Sequence, residues 1–115
     1  MAVPQRLKRV NALLKKEISD IVLTEVNDPR IHNVHATIFD VSVAADLKNA
    51  HVFISVIEDD PEKRAAAIEG FKRAGFLIRS KLMDRIEMRS IPFLHFKLDT
   101  SIERGVRVTH LINKL

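Results

Sequence analysis

Apolar residues recur every three or four positions from the start of the chain: Leu7, Val10, Leu14, Ile18, Ile21 and Val22. A stripe of that width predicts a helix packed on a sheet, running from about Pro4 to Val26. Pro4 suits the first turn, where its missing N–H is not needed. Asn27-Asp28-Pro29-Arg30 stops the helix, because a residue before proline is pushed out of the α region. The spacing then changes. Val34 to Val43 is rich in β-branched residues, and alternation puts His35, Thr37, Phe39, Val41 and Val43 on one face of a first strand. Ala44 to Asn49 connects it to a second strand, His51 to Ile57, with Val52, Ile54 and Val56 on one side. So short a connection predicts an antiparallel hairpin.

Glu58-Asp59-Asp60-Pro61 opens the next helix. Asp60 can cap it, Pro61 fits the first position, and the acids favour the positive end of the helix dipole. That explains the acidic cluster without a catalytic role. Gly70 to Arg89 keeps helical spacing, with Phe71, Ile78, Leu82 and Ile86 on one face. Ala74-Gly75 sits in its middle, and Phe76 and Leu77 fall off the stripe. A mid-helix glycine costs about 1 kcal/mol relative to alanine, and sharp kinks have local causes of this kind. The pattern therefore predicts two helices meeting at a kink.

After Ile91-Pro92 a third strand has a period of two, with Leu94, Phe96 and Leu98 inward and His95, Lys97 and Asp99 outward. Thr100-Ser101-Ile102-Glu103 matches a capping box, so a last, weak helix is expected, with Ile102, Val106 and Ile112 as its apolar side. The sum is an α+β layer, helices packed on a small sheet, in one domain spanning residues 1–115. Neither repeats nor linkers divide it.

Composition adds exclusions. The chain has 46% apolar and 30% charged residues, which is globular, and it has no cysteine, so disulfides and thiolate zinc sites are ruled out. No apolar run approaches the roughly 20 residues of a membrane span. The opening MAVPQRLKRV lacks the apolar core of a secretory signal, and a soluble cytoplasmic protein is expected.

Charge changes the picture more. Residues 1–16 carry five basic and no acidic groups; residues 17–71 carry four basic and eleven acidic, or −7; residues 72–115 carry ten basic and four acidic, or +6. Basic ends around an acidic middle give one positive surface if the ends meet in the fold, and otherwise only solvated helix faces. Lys72, Arg73, Arg79, Lys81, Arg85 and Arg89 edge the expected kink, against Asp84 and Glu87 alone. Phosphate contacts need only positive groups on one face. Phe76 has two readings beside them, packing locally at the bend or stacking a base.

Enzymatic motifs are missing. His32 and His35 lie three apart at a strand entrance, a spacing that does not bring both to one side, and no Cys or HExxH partner exists. Gly70 and Gly75 bracket four residues as in a P-loop, but Phe76-Leu77 stands where Lys-Ser/Thr is needed. The serines lie in no nucleophile setting. No catalytic group, metal site or cofactor is expected.

Several short pieces occur in a specific order: Pro4-Gln5-Arg6, Asn27-Asp28-Pro29-Arg30-Ile31, Val41-Ser42 with Ala45-Asp46-Leu47, and Ile78-Arg79-Ser80. Arg89-Ser90-Ile91-Pro92-Phe93-Leu94-His95-Phe96 and Asp99-Thr100-Ser101-Ile102-Glu103-Arg104-Gly105 complete the series. Over nearly its whole length the chain thereby resembles the ribosome-binding factor A family. The resemblance implies a type II KH-like domain, α-β-β-α-kink-α-β with a short C-terminal helix, on a three-stranded mixed sheet. It also implies association with the small (30S) ribosomal subunit and its 16S rRNA in late maturation and rRNA processing, importance for growth in the cold, and no enzymatic activity. Other assembly factors would be further partners, and the free protein a monomer. The family's Ala-x-Gly kink is written here as Ala74-Gly75-Phe76, one residue early. Arg6, Arg9, Lys72, Arg73, Arg79, Lys81, Arg85 and Arg89 are the expected phosphate ligands, around Ala74, Gly75 and Phe76. The alternative from another class is a protein adaptor using the exposed sheet edge or the Phe76-Leu77 bump.

Overall fold

The stripe that begins at Leu7 folds as a helix, and the elements follow in the expected order. The computed structural model describes residues 4–99, as α1 (Gln5–Glu25), α2 (Pro29–His32), β1 (Thr37–Val43), β2 (Asn49–Ser55), α3 (Pro61–Arg85) and β3 (Phe93–Leu98). The expected C-terminal helix at Thr100–Glu103 and beyond lies outside the described residues. Leu7, Leu14, Ile18, Ile21 and Val22 are the buried face of α1, as their spacing requires. The four-residue α2 is an addition. Asp28 caps it by accepting from the Arg30 N–H at 2.9 Å, and Pro29 takes the first position. Asp60 and Pro61 open α3 in the same manner. Asp-Pro thus starts a helix at both places, although the first pair reads in sequence only as a stop.

The sheet has the order β1-β2-β3, with β1–β2 antiparallel and β2–β3 parallel. The α+β class and the mixed three-stranded sheet are as expected. β1 departs from its pattern. Its register shifts between Ile38 and Asp40, a β-bulge, so Ile38, Val41 and Val43 point inward while Thr37 and Phe39 do not. The extra residue moves the buried face by one position, which strict alternation misreads. Asp40 accepts from the Val41 N–H beside the bulge. β2 buries Ala50, Val52 and Ile54, and β3 buries Phe96 with Leu94 and Leu98 partly covered.

Helices α1 and α3 lie side by side on one face of this sheet, α1 over β1 and α3 over β3, around a core that includes Leu14, Ile18, Phe71, Ile78 and Leu82. Asn11 reaches from α1 to accept from the Val43 N–H at 2.8 Å, which satisfies the end of β1. The two helices run antiparallel. Glu17 meets Arg85, Glu25 meets Lys81, and Asp28 lies against Gly70.

The expected kink does not divide α3. Its 25 residues form a single helix through Ala74-Gly75, and no glycine among the described residues has a positive φ. Burial of Phe71 ahead of Gly75, and of Ile78 and Leu82 after it, holds both halves on one surface, and packing outweighs the roughly 1 kcal/mol propensity loss. The glycines serve close approach instead. A Cβ at Gly70 would lie 3.0 Å from Asp28 Oδ2 and 3.2 Å from the buried Ile31, and one at Gly75 would lie 3.3 Å from Phe96. Asp28 cannot swing aside freely, because Arg30 holds its carboxylate at 2.6 Å. That hydrogen bond also keeps the Asp28 carboxyl below the ordinary carboxylate range.

The two glycines should therefore differ. Gly70→Ala should destabilise the protein by about 1–3 kcal/mol, the range typical of overpacking. Gly75→Ala, which gains helix propensity and meets only a ring edge, should be near neutral. Urea unfolding of the two variants measures both, and equal effects would count against this account.

Candidate nucleic-acid interface

Because α3 rests on β3 through Phe96, and Gly75 presents no side chain there, the seam between helix and strand is open. It forms a cleft of about 750 Å³ lined by Lys72, Gly75, Phe76 and Arg79 of α3 and by Phe93, His95 and Lys97 of β3. A second hollow of about 650 Å³ shares Lys72, Phe96 and Lys97 and extends past Ile68 to Leu98. The two make one groove along the α3–β3 seam. Phe71 and Phe96, with ring centroids 5.7 Å apart, form the packed floor beneath it.

Phe76 is 87% exposed on the rim of this groove. Of its two readings, local packing is not what the helix provides, since a continuous α3 turns position 76 out to solvent. Leu77 beside it is 39% exposed. Arg79 is half-buried and tied to the chain opposite. Its Nη2 donates to Ile91 O at 2.7 Å and its Nε to Pro92 O at 3.3 Å, and its guanidinium lies 4.4 Å above the Phe93 ring. It carries positive charge to the mouth of the groove while locking α3 to the segment that starts β3. Lys72 of α3 and Lys97 of β3 both line the groove, and the acidic Glu69 of α3 lines it as well.

The other sequence-derived cations do not join this group. Arg85 reaches Glu17 at 3.3 Å, Asp20 at 2.5 Å and Glu25 at 3.0 Å, and Lys81 reaches Glu25 at 3.3 Å. Its hydrogen bond to Asp20, reinforced by Glu17 and Glu25, raises the Arg85 pKa, so this guanidinium stays charged. These residues bind α1 to α3 and meet carboxylates, not solvent ions. Arg6 and Arg9 are exposed on α1. By helix rise, Arg9 lies about 12 Å beyond Glu17, while Lys72 lies about 20 Å on the other side of Arg85. Arg6 and Arg9 therefore do not meet Lys72 and Arg73, and among the described residues these four cations do not share one surface. Arg73 is exposed on α3, Ala74 is half-buried in it, and Arg89 is exposed past its end.

The groove brings in Phe93, His95 and Lys97, which charge counting on the helices omits. The period of two in β3 already placed His95 and Lys97 outward. What could not be read was that α3 would lie along that strand, because parallel pairing of β3 with β2 is a long-range choice. Among the described residues no group of three His, Asp or Glu is arranged to hold a metal, and no helix is long and apolar enough to cross a membrane.

Comparison with known proteins agrees with this architecture. A family model described as ribosome-binding factor A matches residues 6–112. A ribosome-binding factor A from Acetivibrio thermocellus is 42% identical over 110 residues, covering 96% of this chain and 88% of the relative. The crystal structure of ribosome-binding factor A from Thermus thermophilus superposes with a TM-score of 0.70 at 23% identity, over 80% of this chain and 93% of that one. A homology model of the Thermus thermophilus factor, fitted into a cryo-EM map of its 30S complex, gives 0.63 at 22% identity over 78% and 91% of the two chains.

The ion cluster between the helices makes its own prediction. Arg85→Glu should lower the melting temperature, because a fourth carboxylate then faces Glu17, Asp20 and Glu25 without a counter-charge, while Arg73→Glu on the exposed face should leave it nearly unchanged. Thermal melts followed by circular dichroism at low salt test this, and the Arg85→Glu deficit should shrink as salt screens the repulsion.

Proposed function

Since the chain belongs to the ribosome-binding factor A family, we propose that it binds the small ribosomal subunit through 16S rRNA and assists late maturation and rRNA processing, without bond chemistry of its own. The family match over residues 6–112 carries this reading. The α3–β3 groove supplies the surface. Lys72, Lys97 and Arg79 give it positive charge on both walls, and Phe76 offers an exposed ring at its rim.

The mechanism is selection by binding energy. A factor that holds one rRNA conformation more tightly than its competitors shifts the folding equilibrium of the subunit by the difference in affinity, and by no more. Cations at the groove provide affinity that does not depend on sequence. The ring at position 76 provides contact only where a base is free to meet it. Such a device suits RNA caught between alternative pairings, the condition that cold prolongs, and the place of work is where ribosomes assemble.

Co-sedimentation with purified small subunits across a salt series tests the proposal. Binding should weaken steeply with salt, and Lys72→Ala should flatten the log–log slope by roughly one unit with an unchanged circular dichroism spectrum. Phe76→Ala should weaken binding by about 1–3 kcal/mol while leaving the slope alone. Salt-insensitive association that still needs Phe76 and Leu77 would instead identify the adaptor reading, in which that exposed pair docks on a protein.

A further inference from the structure

The edges of the sheet are β1 and β3, and the chain treats them differently. On β1 a bulge between Ile38 and Asp40 interrupts the ladder, and the N–H groups of Val41 and Val43 donate to the side chains of Asp40 and Asn11. Devices of this kind keep a foreign strand from adding to an edge. Among the described residues β3 has none. Phe93 donates its N–H to Lys48 O and Asp99 donates to Ile54 O, so Phe93, His95 and Lys97 direct their main-chain groups at β2. In a parallel ladder the residues between them turn N–H and C=O the other way. Leu94, Phe96 and Leu98 each hold out a main-chain donor and acceptor, and none of these meets a protein partner among the described residues.

That row stands inside the α3–β3 groove. The cleft is lined by Leu94 and Phe96, from the packed face of β3, and also by Phe93, His95 and Lys97, from its other face. Only a hollow set against the edge of a strand is lined from both faces. Gly75 leaves room on the helix side. The outward groups recur every second residue, about 7 Å apart at the usual strand rise, which is the repeat at which another extended chain offers its own. A segment laid there continues the sheet, its main chain supplying affinity and its alternate side chains specificity. Charge narrows its composition. Lys72, Arg79 and Lys97 line the cleft and no carboxylate does, whereas Glu69 and Asp99 sit toward the Leu98 end. Apolar side chains suit the floor that Phe96 makes, and acidic ones suit the cations around it.

We propose that the open edge of β3 docks an extended acidic segment of a partner protein, which adds to the sheet as a further strand beside α3. This stands apart from the rRNA reading, but the segment fills the groove which that reading gives to RNA, so peptide and small subunit should exclude one another.

The full chain is titrated with fluorescein-labelled peptides of about seven residues, enough to span β3 at the strand rise, in which glutamate alternates with valine, leucine or phenylalanine. Binding should appear within this set and fall when lysine replaces glutamate, and Lys72→Glu, a change at an exposed side chain, should invert that preference. Methylating every second peptide nitrogen removes donors along one edge of the added strand only. One alternate set of methyl groups should weaken binding at least about fivefold, the lower end of what a lost hydrogen bond costs, while the other set should leave it unchanged. The N–H protons of Leu94, Phe96 and Leu98, which exchange fast in the free chain, should become protected in the complex. Binding by no peptide of the set, or binding that answers equally to both methylation patterns, overturns the inference and leaves the rRNA proposal to its own co-sedimentation test. Edge pairing by a chain that does not bind small subunits upholds this inference and overturns the rRNA reading alone.

Discussion

The parallel pairing of β3 with β2 is the constraint on which the rest of the molecule depends. Parallel neighbours cannot be joined by a tight turn, so the chain between Ser55 and Phe93 must cross back over the sheet, and α3 is that crossover. The crossover lays α3 along β3 and sets the groove at their seam. It puts α3 on the same face as α1, so that one face is packed and the other, among the described residues, is bare. Asp28 and Ile31 close against Gly70 because α3 passes there. One pairing choice therefore decides which side chains can act together.

That dependence explains how the cations divide. Counted along the chain, the basic residues of α1 and α3 form two blocks of one sign. In space, the antiparallel packing sets the acidic half of α1 opposite the end of α3, and Arg85 and Lys81 are consumed by Glu17, Asp20 and Glu25. An exposed ion pair contributes little alone, but a guanidinium shared by three carboxylates fixes the relative axial position of two helices. The groove itself keeps a smaller group of cations, Lys72, Arg79 and Lys97, drawn from a helix and a strand that only the crossover brings together.

Much of the fold was legible because burial imposes a period. The α1 stripe, the inward face of β2 and the alternation in β3 all follow their residues. β1 was misread where a bulge adds one residue, and a period-two pattern has no symbol for that insertion. Gly75 was misread for a related reason. Its local cost predicts a kink, yet the neighbouring Phe71, Ile78 and Leu82 belong to one buried surface and keep the helix whole. Phe76 was recognisable as out of phase, and the unbroken helix gives that anomaly its meaning. Phe93 was silent, because only the position of Arg79 above it and its exposure on the open face mark it as part of a surface.

The uncovered edge of β3 has a thermodynamic corollary. On the sheet side the groove is walled by this last strand together with Asn49 of β2, and the ladder of β3 to β2 closes the longest excursion of the chain among the described elements. A ligand that spans the seam touches α3 and β3 at once, and so binds only molecules in which that strand is seated. By mass action such a ligand stabilises the folded state, more so as its concentration rises above its dissociation constant. Protein and ligand would then order one another: the groove selects what can span it, and the ligand in turn clamps the strand that forms its wall.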